Sequence, residues 1–71
     1  MQERLIAIIA AALQVPSSAL TLETGPGDLE AWDSLAHINI ISEIEAEFLV
    51  SIPIEHVAEI RRIRDFLGYF E

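Results

Sequence analysis

Trp32-Asp33-Ser34-Leu35-Ala36-His37-Ile38-Asn39-Ile40-Ile41 decides how this chain is read. The stretch leaves a segment rich in Gly, Pro and acidic residues and enters a run of helical apolar spacing, so it marks the start of a helix. Asp or Ser at such a start accepts a hydrogen bond from one of the orphan N–H groups of the first turn. The ordinary reading of Ser34 is therefore a helix cap. The sharper reading is a hydroxyl nucleophile, in a chain with no cysteine and no rival candidate for chemistry.

Outward from Ser34, the second helix is expected to run to about Phe48. Ile40, Ile41, Ile44 and Phe48 share an arc of about 100° on it, the face expected to meet the first helix. His37 falls within the apolar arc and is expected to be partly buried and bonded to a loop carbonyl. Leu35, Ile38 and Ser42 lie off the arc, beside the serine, and are expected to reach solvent as a docking spot. Glu43, Glu45 and Glu47 read either as a docking stripe for basic surfaces or as a solvated helix face.

Upstream, Leu5, Ile6, Ile8, Ile9, Ala12 and Leu13 fall within an arc of about 160°, with Ala7 and Ala10 outside it, which predicts an amphipathic first helix. It is expected to stop near Val15, because a residue before proline is pushed out of the α region. Ser17 or Ser18 is expected to cap one short turn. From Leu20 to Asp33, around Gly25-Pro26-Gly27-Asp28, no period is sustained, so this is a long ordered loop anchored by Leu20, Leu22, Leu29 and Trp32. Downstream, Ser51-Ile52-Pro53 breaks the chain, Glu55 to Ile60 reads as a short third helix, and Ile63, Phe66, Leu67 and Phe70 follow the i, i+3, i+4, i+7 pattern of a last one. The fold class is all-α, four helices of unequal length in a single domain over residues 1–71.

Bulk properties narrow the function. Seventy-one residues sit near the lower limit for a chain without disulfides or metal to fold alone, and an apolar share of 52% with few aromatics suits a small aliphatic bundle. A net charge of −8 and the absence of lysine exclude nucleic-acid binding by clustered cations. Such an acidic surface favours partners with basic patches. The run Leu5–Leu13 is too short to span a membrane, and Glu3 beside a lone Arg4 makes a poor signal-peptide start, so a cytoplasmic protein without membrane insertion is expected. No histidine and carboxylate set has convincing metal-ligand spacing. His56 is expected at the surface.

The attachment-site segment Trp32-Asp33-Ser34-Leu35 and its surroundings resemble acyl carrier proteins. The resemblance covers nearly the whole chain: the first helix ending near Val15, the loop Thr24-Gly25-Pro26-Gly27-Asp28-Leu29, Glu45-Ala46-Glu47-Phe48 closing helix two, Ile52-Pro53, and the segment from Ile60 to Phe70. It implies a four-helix carrier, not an enzyme, bearing 4′-phosphopantetheine from coenzyme A on Ser34 and holding acyl groups as thioesters. A phosphodiester is well placed at a helix N-terminus, near free N–H groups and the positive end of the dipole. The partners implied are a phosphopantetheinyl transferase, an acyl- or aminoacyl-activating ligase, and downstream acyltransferases or condensing enzymes, visited by a monomer. Asp33, Leu35, Ile38, Ser42 and Glu45 are the recognition residues it suggests.

Departures from the family pattern bear on the pathway, fatty acid or secondary-metabolite biosynthesis. Ala36, Ile38 and Asn39 stand where carriers of fatty acid synthesis are usually more acidic. The Trp-Asp-Ser-Leu-Ala-His form looks more like specialised stand-alone carriers. The last helix lacks the usual Ser or Thr at its start and has Arg61 and Arg62 there, cations that the dipole disfavours. Arg61, Arg62 and Arg64, three of the four basic residues, are read as pairing with acidic neighbours rather than forming an anion site. Two other functional classes draw on the same residues. Ser34, His37 and Asp33 have the residue types of a hydrolase, but helical spacing alone does not set up nucleophile, base and orienting acid. A small interaction domain without an arm, binding through Leu35 and Ile38, is the remaining alternative.

Overall fold

The computed structural model describes residues 2–70. Among them are helix α1 (Gln2–Leu13), a 3-10 turn (Ser17–Ala19), helix α2 (Ser34–Phe48), a single turn of helix α3 (Ile54–Val57) and a closing 3-10 helix (Ile63–Tyr69). No strand forms among the described residues, and the pairing of Pro26 with Leu29 is an isolated bridge. The expected all-α architecture, long, long, short and medium, is what the chain adopts. No described helix is long and apolar enough to cross a membrane.

Helix α1 ends earlier than the proline alone requires. Gln14 takes the left-handed conformation (φ 59°), Val15 N–H donates to Ala10 O at 3.0 Å and Gln14 N–H to Ala11 O at 3.2 Å. This is the Schellman arrangement, with glutamine in the place glycine usually takes. The chain then folds back so that the turn Ser17–Ala19 meets α1. The buried face of α1 is consequently rotated from the one its apolar spacing predicts: Ala10 is buried and Ala12 exposed. Neither Ser17 nor Ser18 caps the turn; Pro16 precedes it, and its carbonyl accepts from Ala19 N–H at 2.9 Å.

The core joins α1 to α2 and both to the later segments. Leu5 and Ile9 from α1, Ile40 and Ile44 from α2, and Ile63 and Phe66 from the closing helix are fully buried. Leu20, Trp32, Ile52 and Ile60 reach the same cluster from outside the helices, so the two long connections are held down by their own apolar residues. In the closing helix the apolar pattern was that of an α-helix, yet the turns are 3-10. Side chains three apart eclipse there, which sends Ile63 and Phe66 inward together and leaves Leu67 and Phe70 half-buried.

Helix α3 is shorter than the expected Glu55 to Ile60. The chain leaves it at Ala58 because Ile60 turns into the core and Asp65 captures the following backbone. Its Oδ2 accepts from Arg61 N–H at 2.9 Å and Arg62 N–H at 3.1 Å. Asp65 thus does the capping that a Ser or Thr would do. Its negative charge in the first turn suits the helix dipole and offsets the nearby arginines.

Candidate functional site at the start of α2

Asp33 and Ser34 divide the two roles that the sequence left on one residue. Asp33 is the N-cap: its backbone is extended and its Oδ1 accepts from Ala36 N–H at 2.8 Å. Ser34 is the first residue of the helix, is exposed, and makes no side-chain hydrogen bond among the described residues. The cap is therefore aspartate, and the serine hydroxyl is left free for chemistry.

The loop that delivers Ser34 is fixed by a small number of contacts. Gly25-Pro26-Gly27-Asp28 has the residue signature of a type II turn, with Gly27 at φ 97° and Asp28 N–H donating to Gly25 O at 3.1 Å. Asp28 Oδ2 accepts in return from Gly25 N–H at 2.8 Å. Gly25 is buried against the start of the closing helix, where a Cβ would stand 1.7 Å from Arg61 O. Beside it, Ile63 N–H donates to Thr24 O at 2.8 Å and Arg64 N–H to Leu22 O at 3.0 Å. Glu23 forms exposed ion pairs with Arg62 and Arg64 over the same seam.

Trp32 and His37 lock the loop's last turn from beneath. Trp32 Nε1–H donates to His37 Nδ1 at 3.0 Å, and His37 Nε2 lies 2.9 Å from Val57 O, the carbonyl that closes α3. An indole N–H only donates and a carbonyl only accepts, so the imidazole carries its proton on Nε2. His37 is 9% exposed and Trp32 2%. The histidine is thus the buried, carbonyl-bonded residue its place on α2 predicts. Both ring nitrogens are engaged away from Ser34, which removes the general base that a hydrolase needs. His56 differs from expectation: it is half-buried, with Nδ1 3.0 Å from the Tyr69 hydroxyl.

Leu35 and Ile38 are exposed (69% and 56%), as is Ser42. Ile54 on α3, 86% exposed, joins their side of the molecule, and the sequence did not single it out. Ile38, Ile41, Ile52, Ile54 and Val57 line an open groove of about 350 Å³ between α2 and α3. Glu45 does not stand free among them. Its Oε2 accepts from Ile52 N–H at 2.8 Å, so this residue ties the connection after α2 to the helix. Glu47 is paired with Arg4, and of the three glutamates Glu43 alone keeps an exposed carboxylate without a partner among the described residues. The acidic stripe is accordingly broken up by internal contacts. No cluster of metal-ligating side chains occurs among the described residues.

On its other side Ser34 opens onto a cavity of about 480 Å³ lined by Pro26, Trp32, Asp33, His37, Ala58 and Arg61 among others. An exposed hydroxyl at a helix start, facing an open cavity and with His37 turned away from it, suits a point of attachment. Sequence comparison agrees: a model of the family described as "Phosphopantetheine attachment site" matches residues 3–70. The solution structure of holo acyl carrier protein from Geobacter metallireducens is similar throughout, with a TM-score of 0.84 and 26% identity over 97% of this chain and 79% of that one. The chain belongs to the phosphopantetheine-attachment family of carrier proteins. It is a carrier and not an enzyme, and its prosthetic group is 4′-phosphopantetheine.

Proposed function

We propose that Ser34 is the attachment residue, and that the chain carries an acyl or aminoacyl group between enzymes of a specialised biosynthetic pathway. The free, exposed Ser34 hydroxyl at the first position of α2, with capping delegated to Asp33, is the observation that carries this reading. The residues around it suit the group. The first-turn N–H groups and the dipole of a 15-residue helix favour a phosphodiester there, and the adjoining cavity leaves room for an arm. A phosphopantetheinyl transferase would join Ser34 Oγ to the pantetheine-side phosphorus of coenzyme A's diphosphate, with 3′,5′-adenosine bisphosphate as the leaving group. The hydroxyl proton is lost and the bond to the departing nucleotide is broken. Once attached, the arm supplies the thiol that this cysteine-free chain lacks.

The protein's own part is presentation. Asp33 holds the helix start, while Trp32 and His37 hold the loop that leads to it. Leu35, Ile38 and Ser42, with Ile54 beside them, form the face that transferase, ligase and condensing enzymes meet, and the groove between α2 and α3 shelters short cargo. Ala36 and Asn39, in place of acids, favour ligases of specialised pathways over the condensing enzymes of fatty acid synthesis. The carrier works as a cytoplasmic monomer.

Intact mass tests the attachment. Incubation with coenzyme A and a promiscuous transferase should add one phosphopantetheine to the wild type and nothing to Ser34→Ala. An unmodified wild type would leave an interaction domain without an arm, binding through Leu35, Ile38 and Ile54, as the better reading. Offering the holo protein to a malonyl transferase and to acyl- or aminoacyl-activating ligases tests the pathway, and efficient malonylation alone would count against a specialised one.

A further inference from the structure

We propose that Arg61 is the counter-charge of the arm: its guanidinium holds the phosphodiester once Ser34 is modified. This rests on attachment at Ser34. The chain has four cationic side chains and twelve acidic ones. Arg4 is paired with Glu47, Arg62 with Glu23 and Asp65, and Arg64 with Glu23. Arg61 has no carboxylate within ion-pair distance among the described residues. It is the one arginine that lines the cavity shared with Ser34 and Asp33.

The Arg61 backbone is fixed, while the residue itself is exposed. Its N–H is held by Asp65 Oδ2 at 2.9 Å, its carbonyl lies against Gly25 where no Cβ fits, and Ile60 and Ile63 on either side are buried. The guanidinium therefore springs from an anchored point at the cavity wall. A long side chain anchored in this way loses less freedom on pairing than one on a mobile loop. Modification of Ser34 adds a negative charge to a chain already at −8, next to the Asp33 carboxylate. An arginine presents several N–H donors to phosphate oxygens, and charge-assisted bonds of this kind are the stronger ones. Arg61 lines the same cavity as Ser34, where that charge is added.

The side-chain Nε–Hε resonances of the four arginines, followed by NMR as apo protein is converted to holo, test this, with intact mass reporting the conversion independently. The Arg61 resonance should move and its exchange with water should slow, by up to about five-fold for an exposed pair. Those of Arg4, Arg62 and Arg64 should stay. In holo Arg61→Gln the phosphorus resonance should differ from wild type, and Arg61→Lys should restore part of the shift. Complete mass gain with an unmoved Arg61 resonance overturns the proposal and leaves attachment at Ser34 intact, whereas no mass gain in the wild type overturns the attachment itself. Inorganic phosphate, added to apo protein at equimolar concentration, should leave Arg61 unmoved. A shift equal to that of the holo form would mark a free-anion site and overturn the assignment to the arm.

Discussion

Helix α1 meets α2 through Leu5, Ile9, Ile40 and Ile44, all fully buried, with the Arg4–Glu47 ion pair at the exposed rim. Residues 22–37 meet residues 57–65 by other means: a glycine pressed on a carbonyl, two backbone hydrogen bonds, and the Trp32–His37–Val57 chain. Burial in the first region scales with apolar area and has no directional requirement. The second region depends on single donors and acceptors being where they are, because a buried group left without its partner costs far more than the bond contributes when made. The free serine stands on the second region. A carrier that must present one attachment point to several enzymes gains from a loop held by position and not by bulk.

The largest effect is expected where the aliphatic interface is opened. Ile9→Ala should cost about 2–5 kcal/mol, out of about 4–11 kcal/mol for a domain of this length. Denaturant melting would read the loss, while the rate of phosphopantetheine loading per folded molecule should stay as in the wild type. A selective loss of loading with unchanged stability would reverse the contrast between the two regions.

Next, Gly25→Ala forces a methyl group onto Arg61 O and should cost about 1–3 kcal/mol or more. Its chemical-shift changes should concentrate in residues 22–28 and 60–64, and equal changes in α1 would mean that the seam is not a separate unit. Trp32→Phe should cost a similar or smaller amount, about 1–3 kcal/mol, by leaving His37 Nδ1 buried without its donor. Amide hydrogen exchange should then quicken at the start of α2 and at Val57 more than in α1. The smallest change is Asp33→Ala, which removes the cap from Ala36 N–H and should cost about 1 kcal/mol, with Asp33→Asn retaining most of the stability. A cap on Ser34 instead would make Ser34→Ala the costlier substitution, a ranking that thermal melting of the two variants decides.

Much of the α2 end was legible in the sequence. Its bounds, Ser34 to Phe48, followed from a capping residue and a sustained 3.6-residue period, both local properties of the chain. The exposure of Leu35, Ile38 and Ser42 followed from the same period. Ile54 was not legible in this way because it opens a helix of four residues, too short for any period to reveal a face. The broken glutamate stripe could not be foreseen either. Glu45 bonds to Ile52 N–H and Glu47 to Arg4, and those partners stand 7 and 43 residues away.

By itself the sequence determined four helical segments, the helix-starting Asp33-Ser34 pair, a loop pinned by Leu20 and Trp32, and the family to which such a pattern belongs. These are written in neighbouring residues, where propensity, capping and apolar spacing act. Only the tertiary structure decided that Asp33 takes the cap and frees Ser34, that His37 faces Trp32 and Val57 and not the serine, and that Arg61 alone of the arginines borders the serine's cavity. The first turns on which of two adjacent residues enters the helix, whereas the other two depend on segments 20 or more residues apart in the chain coming together. No local period encodes that distance.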